Sequence, residues 1–177
     1  MIARDSLREE ILKKAVIRGK VVLSSGEEAN FYVDLRRVTL DSVAAPLIGE
    51  AMLDLTRDFD YEAVGGLTLG ADPIAIAMLH AAANKGRKID AFIVRKSKKK
   101  HGLQRMIEGP DVKGKRVLVV EDTLTTGNSA LTAVRELREA GAIIVAVACV
   151  VRRGMPQQEL LNLNFLELFS SEQLGLY

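Results

Sequence analysis

The residues best suited to chemistry fall in one stretch: Val117-Leu-Val-Val-Glu121-Asp122-Thr123-Leu124-Thr125-Thr126-Gly127-Asn128-Ser129-Ala130. A run of strand type delivers two carboxylates at its C-terminal end, a turn of hydroxyls and glycine follows, and a helix begins. Ligands of open α/β sheets bind outside the carboxyl ends of strands. A turn such as Thr125–Ser129 aims successive backbone N–H groups and hydroxyls at one spot beside a positive helix N-terminus, which suits a phosphate. There is no GxxxxGK(S/T) loop for a nucleoside triphosphate and no GxGxxG for a dinucleotide. Ionised carboxylates only accept hydrogen bonds, so Glu121 and Asp122 beside a monophosphate cradle suit the paired hydroxyl donors of a sugar; the plainer alternative is that they cap the turn. A second cluster, Arg95-Lys96-Ser97-Lys98-Lys99-Lys100-His101-Gly102, is a basic run fit to meet phosphate oxygens or simply to sit solvated.

Positioning such groups takes a core, and 177 residues that are 48% apolar, 27% charged and include 14 glycines suffice for one compact domain over residues 1–177. Short, nearly continuous apolar runs at Ala63–Gly66, Ala91–Arg95, Arg116–Glu121 and Ile143–Val151 read as strands buried on both faces of a parallel sheet. Between them the spacing predicts helices over Pro73–Ala83, with Asp72 as N-cap, and over Ser129–Ala140. Alternating β and α elements argue for a three-layer α/β fold, a mostly parallel central sheet with helices on both faces. Ahead of it come an amphipathic helix over Ser6–Arg18, strands at Val21–Leu23 and Phe31–Leu35 about a Ser24-Ser25-Gly26 turn, and a helix from Ala44 to Leu55. The first 40 residues or so are expected to form a small substructure on that core. Between Arg95 and Arg116 lies a lysine-rich loop with Gly102, Gly109, Gly114 and Pro110 and no clear periodicity, far longer than the usual ~4–6 residues and of the kind that serves as a lid.

The net charge of +2 gives no strong overall field, so anion affinity has to come from local clusters. The single Cys149, inside the apolar run Ala146–Val151, is read as a small core hydrophobe, and His80, on an alanine-rich helix, as structural. Charges at Arg4, Asp5, Arg8, Glu9 and Glu10 speak against a signal peptide, and no apolar stretch reaches the ~20 residues of a membrane span, so a cytoplasmic protein without membrane contact is expected.

Val117–Ala130 resembles the phosphoribosyl-diphosphate (PRPP) signature of the type I phosphoribosyltransferases: apolar residues, two acids, two variable residues, Thr-Thr-Gly and a small hydroxyl residue. Within that superfamily, the spacing Arg95-Lys96, Lys99 and His101-Gly102 is similar to the mobile loop of the orotate phosphoribosyltransferases, and Ser25-Gly26 through Phe31-Tyr32-Val33-Asp34 resembles their N-terminal recognition segment. The resemblance spans residues 4–155 and implies the type I fold with a small N-terminal hood. It implies Mg²⁺-dependent transfer of the phosphoribosyl group from PRPP to orotate, giving orotidine 5'-monophosphate and diphosphate in pyrimidine biosynthesis. It also implies a homodimer whose active sites are shared. Arg95, Lys96, Lys99 and His101 would contact the diphosphate, with Lys99 the main catalytic cation. Glu121 and Asp122 would hold the ribose hydroxyls, Asp122 also counting as catalytic. Thr123 to Ser129 would complete the PRPP site around the 5-phosphate, and Thr125 with Arg153 would meet orotate. Mg²⁺, which dehydrates reluctantly, would be held mainly by substrate and water, so no residue is assigned to it.

Departures from the pattern are Ser24, where many members carry lysine, and Arg152-Arg153, where many read Asp-Arg, which leaves the choice between the two arginines to register. The loop Leu67–Asp72, matching the family's pyrophosphate loop, lacks the lysine some members have. Two rival expectations are a purine phosphoribosyltransferase and an RNA-binding regulator on the same fold. The carboxylate of orotate calls for a guanidinium where a neutral purine does not. The chain has only eight aromatic residues, none of them within the basic run, which makes base stacking weak and argues against nucleic-acid binding.

Overall fold

The structure, a computed structural model, describes residues 2–22, 28–97 and 106–176. Helix α1 (Ile2–Glu10) passes into a wider turn of π type, Ile11–Ala15, that buries Ile11 and Ala15. The opening helix thus stops at Ala15 instead of continuing to Arg18, and Val16 is already extended, at φ −84° and ψ 112°. The cause is the β-branched pair Val16-Ile17, which gains cross-strand partners in Val33 and Tyr32. β1 (Val16–Val22) and β2 (Glu28–Val33) form this two-stranded antiparallel hood, so both strands begin earlier than the sequence suggested. The Ser24-Ser25-Gly26 turn lies outside the described residues.

After α2 (Arg36–Thr39) and α3 (Ala44–Leu55), the alternating region builds a six-stranded sheet from β3 (Ala63–Leu67), β4 (Asp90–Val94), β5 (Ile107–Glu108), β6 (Arg116–Leu124), β7 (Ile143–Arg152) and β8 (Phe165–Ser170). The strand order is β5-β4-β3-β6-β7-β8, all parallel except β5. The expected α/β architecture is therefore present, with β8 and the short α6 (Gln158–Leu161) added at its end. Alternation along β6 explains why the strand reads as a continuous apolar run. Leu118 and Val120 pack with Ile48, Met52, Ile74 and Met78 of α3 and α4 (Ala71–Asn84) on one face, while Val117 and Val119 pack with Leu131, Val134 and Leu137 of α5 (Asn128–Glu139) on the other. Cys149 is buried in the second of these clusters, as expected of a core thiol.

Three local expectations need correction. Helix α4 starts at Ala71 after Gly70, and Asp72 lies in its first turn with its carboxylate accepting the Thr68 hydroxyl at 2.7 Å, so it is not the N-cap. His80 is exposed on α4 and has no place in the core. The basic loop is shorter than its sequence suggested, because Ile107 and Glu108 pair antiparallel with Val94 and Ile93, and Arg95 N–H donates to the Met106 carbonyl at 2.8 Å. Among the described residues no helix is long and apolar enough to cross a membrane.

Candidate active site at the end of the central strand

β6 runs three residues further than expected, to Leu124, because Thr123 and Leu124 keep their pairing with Val151 and Arg152 of β7. Glu121 and Asp122 therefore ride on a strand that β7 holds at Glu121 and again at Thr123, beyond the last β3 partner of β6 at Val119. Glu121 is only 7% exposed, and its Oε2 has no hydrogen-bond partner among the described residues. Burial, reinforced by the adjacent Asp122 charge, holds the Glu121 carboxyl well above the usual carboxylate range, while Lys96 acts in the opposite sense. A buried acceptor left unmatched inside a pocket is suited to a ligand that brings its own donors.

Beyond Leu124 the chain turns through Thr125 and Thr126 to Gly127, whose φ of 91° lies in the left-handed region that glycine enters without strain. A side chain there would also stand 2.8 Å from Leu160 Cδ1. Helix α5 then begins at Asn128, one residue before the expected start. Its first N–H groups have no acceptor within the helix and face the pocket with the positive end of the dipole. Glu121 and Thr123 to Ala130 line this pocket of about 160 Å³. α6 braces it from behind: Gln157 N–H donates to the Thr126 carbonyl at 3.1 Å, and Gln157 Nε2 to Asn128 Oδ1 at 2.6 Å. Sequence reasoning missed Gln157, since nothing local marks it.

Asp122 faces the loop before α4. Its Oδ1 accepts from Thr123 N–H at 2.6 Å, and a Cβ on Gly70 would stand 2.7 Å from its Cγ. Gly70 has φ −64° and ψ −36°, a conformation open to alanine, so the nearest obstacle there is the Asp122 carboxylate. Gly70→Ala is expected to push that carboxylate aside and lower kcat/KM at this site roughly tenfold, since misplacement of a positioned group is costly even when small. Its melting temperature should stay near wild type or rise slightly. Steady-state kinetics alongside thermal melting checks both, and unchanged kinetics would show that Asp122 adapts freely.

The structure also separates the two arginines. Arg152 is engaged by Glu167: Nε donates to Oε2 and Nη2 to Oε1 at 3.3 Å. Arg153 instead reaches toward the hood, its guanidinium carbon 6.0 Å from the centre of the Tyr32 ring, and its backbone N–H donates to the Leu124 carbonyl at 2.7 Å. Gly154 abuts Thr125, so Arg153 sits beside the signature turn. Helix α2 adds a cation that sequence reasoning passed over: Arg36, whose Nε donates to Asp34 Oδ1 at 2.8 Å, feels the field of Tyr32 and of Asp122.

The basic run is only partly described. Arg95 is anchored at the loop's base, its Nη1 3.4 Å from Glu108 Oε1, and the exposed Lys96 acts electrostatically on Glu121. Lys99, His101 and Gly102 lie outside the described residues.

Comparison with known proteins agrees with this fold. Residues 63–167 match the family model of the phosphoribosyl transferase domain. An orotate phosphoribosyltransferase of Streptomyces coelicolor is 58% identical over 98% of this chain and 97% of its own length. A crystal structure of the Mycobacterium tuberculosis orotate phosphoribosyltransferase with Fe(III) dicitrate superposes with a TM-score of 0.89 at 52% identity, covering 98% of this chain and 99% of that one. The same enzyme in complex with PRPP gives 0.84 at 49% identity, with 98% and 99% covered.

Proposed function

Because the chain belongs to the phosphoribosyl transferase family, with orotate phosphoribosyltransferases covering nearly its whole length, we propose that it transfers the 5-phosphoribosyl group of PRPP to orotate, yielding orotidine 5'-monophosphate and diphosphate for pyrimidine biosynthesis. The observation that carries the acceptor is Arg153, presented beside Thr125 and Tyr32 while Arg152 is occupied by Glu167. A guanidinium in that position recognises the orotate carboxylate. The 5-phosphate sits against the N–H groups and hydroxyls from Thr125 to Ser129, with Thr123 and Leu124 carrying the strand into the turn. The ribose hydroxyls donate to Asp122 and to the unpartnered oxygen of Glu121.

Loss of diphosphate leaves positive charge on the ribose and negative charge on the leaving group. Fixed charges of the right sign on each side lower the barrier. Asp122 carries the charge on the ribose side, with the buried Glu121 beside it as a hydrogen-bonding group, while Lys96, Lys99 and His101 attend the diphosphate, with Arg95 at the root of their loop. Closing such a loop would exclude water, which otherwise competes with orotate for the sugar cation. In this reading Mg²⁺, which dehydrates reluctantly, would be held mainly by substrate oxygens and water. Bound in that way, Mg²⁺ supplies charge neutralisation of the diphosphate. The protein works in this reading as one domain, in the cytoplasm, and as a homodimer with shared sites.

Mixing protein, PRPP and Mg²⁺ with orotate should consume the orotate absorbance, while hypoxanthine, adenine and uracil stay unused; consumption of a purine in place of orotate would overturn the acceptor assignment. Arg153→Ala should raise the orotate KM about ten- to a hundredfold, the range for one lost charged hydrogen bond, and leave the PRPP KM far less affected.

A further inference from the structure

Arg152 stands where sequence comparison left its role open, and the structure shows every nitrogen of its guanidinium in use. Nε and Nη2 grip the two oxygens of Glu167 on the neighbouring strand β8, Nη2 also lies 3.6 Å from Glu172 Oε2, and Nη1 donates to the carbonyl of Gly154 at 3.2 Å. The last of these closes a loop around a single residue, Arg153. The main chain of Arg152 is held as well: its carbonyl accepts from Ser171 N–H at 2.9 Å and from Ser171 Oγ at 3.3 Å. On the other side, Arg153 N–H is tied to Leu124 at 2.7 Å, and Gly154 rests on Thr125. The pair is partly screened from water, at 21% and 29% side-chain exposure, and its planar fork geometry fixes direction as well as distance.

We propose that Arg152 is a positioning residue for the acceptor: clamped to Glu167 and Gly154, it holds the 152–154 turn so that Arg153 points at the space between Thr125 and Tyr32. The proposal rests on the reading that Arg153 meets the orotate carboxylate. Arg152 itself does not touch substrate; it acts by removing the freedom that Arg153 would otherwise have to lose on binding.

The test measures kcat, the orotate KM, the PRPP KM and the melting temperature of Arg152→Ala, Arg152→Lys, Glu167→Gln and Arg153→Ala. Arg152→Ala should raise the orotate KM roughly tenfold, on the scale expected for a misdirected binding group, with the PRPP KM within about twofold of wild type. Arg152→Lys keeps the charge but loses the fork, and Glu167→Gln keeps one neutral acceptor, so both should give smaller rises in the same direction. Arg152→Ala combined with Arg153→Ala should be no worse for orotate than Arg153→Ala alone, since the clamp acts only through Arg153. If Arg152→Ala does not fold, the lysine and glutamine variants decide the matter by the same KM split. A lower melting temperature with both KM values unchanged would reduce Arg152 to a structural ion pair and overturn the proposal. An unchanged orotate KM in Arg153→Ala would instead refute the acceptor reading on which it rests, so the two failures are told apart.

Discussion

Lys99→Ala is expected to lower kcat by about 10²–10³-fold, the loss typical of removing one group aimed at charge that develops in the transition state. Diphosphate carries more negative charge as it departs than it does in bound PRPP, so a cation placed against it contributes more to the rate than to ground-state binding. KM for PRPP should accordingly move much less than kcat. The substitution deletes a charged side chain and no apolar one, so stability should stay within about 0.5 kcal/mol of wild type, which thermal melting reads directly. Turnover near wild type would remove Lys99 from the mechanism.

Lys99→Ala and Asp122→Asn, each strongly impaired alone, should regain about a quarter of wild-type activity when their subunits are exchanged. Asp122→Asn replaces a charged acceptor by a neutral one on a strand fixed by β7, and the lost charged hydrogen bond should lower kcat/KM for PRPP about ten- to a hundredfold. In a twofold dimer whose basic loops cross to the opposite site, a hybrid holds one site with both defects and one with neither. Random exchange makes half of the dimers hybrids, hence the quarter. Within one chain Lys96 already acts on Glu121, so a loop serving its own subunit is the competing geometry. It predicts the opposite outcome, because every site then keeps one defect. Absence of recovery after subunit exchange has been verified by mass or tagging would exclude crossed loops.

The strand-turn-helix from Val117 to Ala130 was legible because each of its parts is local. Apolar residues alternate between two buried faces, and a hydroxyl-and-glycine turn precedes a helix whose first N–H groups are necessarily free. The helices and parallel strands of the core follow from similar short-range patterns. Where the local pattern is ambiguous, tertiary pairing decides. Lys14-Ala15-Val16-Ile17 suits either helix or strand, and it was the pairing of Val16 and Ile17 with Val33 and Tyr32 that ended the helix. Phe165–Ser170 alternates too weakly to announce β8, which exists because Val147 to Arg152 offer it an edge.

The sequence by itself thus determined the α/β class and the strand-turn-helix with an acidic pair at its strand end, features carried by neighbouring residues whose spacing dictates their geometry. Only the tertiary structure decided which of two adjacent arginines is available to a ligand. It did so because Glu167, fifteen positions along the chain, is brought opposite Arg152 by the parallel register of β7 and β8. It likewise decided that Gly70 leaves room for Asp122 and that Gln157 braces the turn at Thr126. Partners of this kind are selected by packing between elements distant in sequence, and no local spacing encodes them.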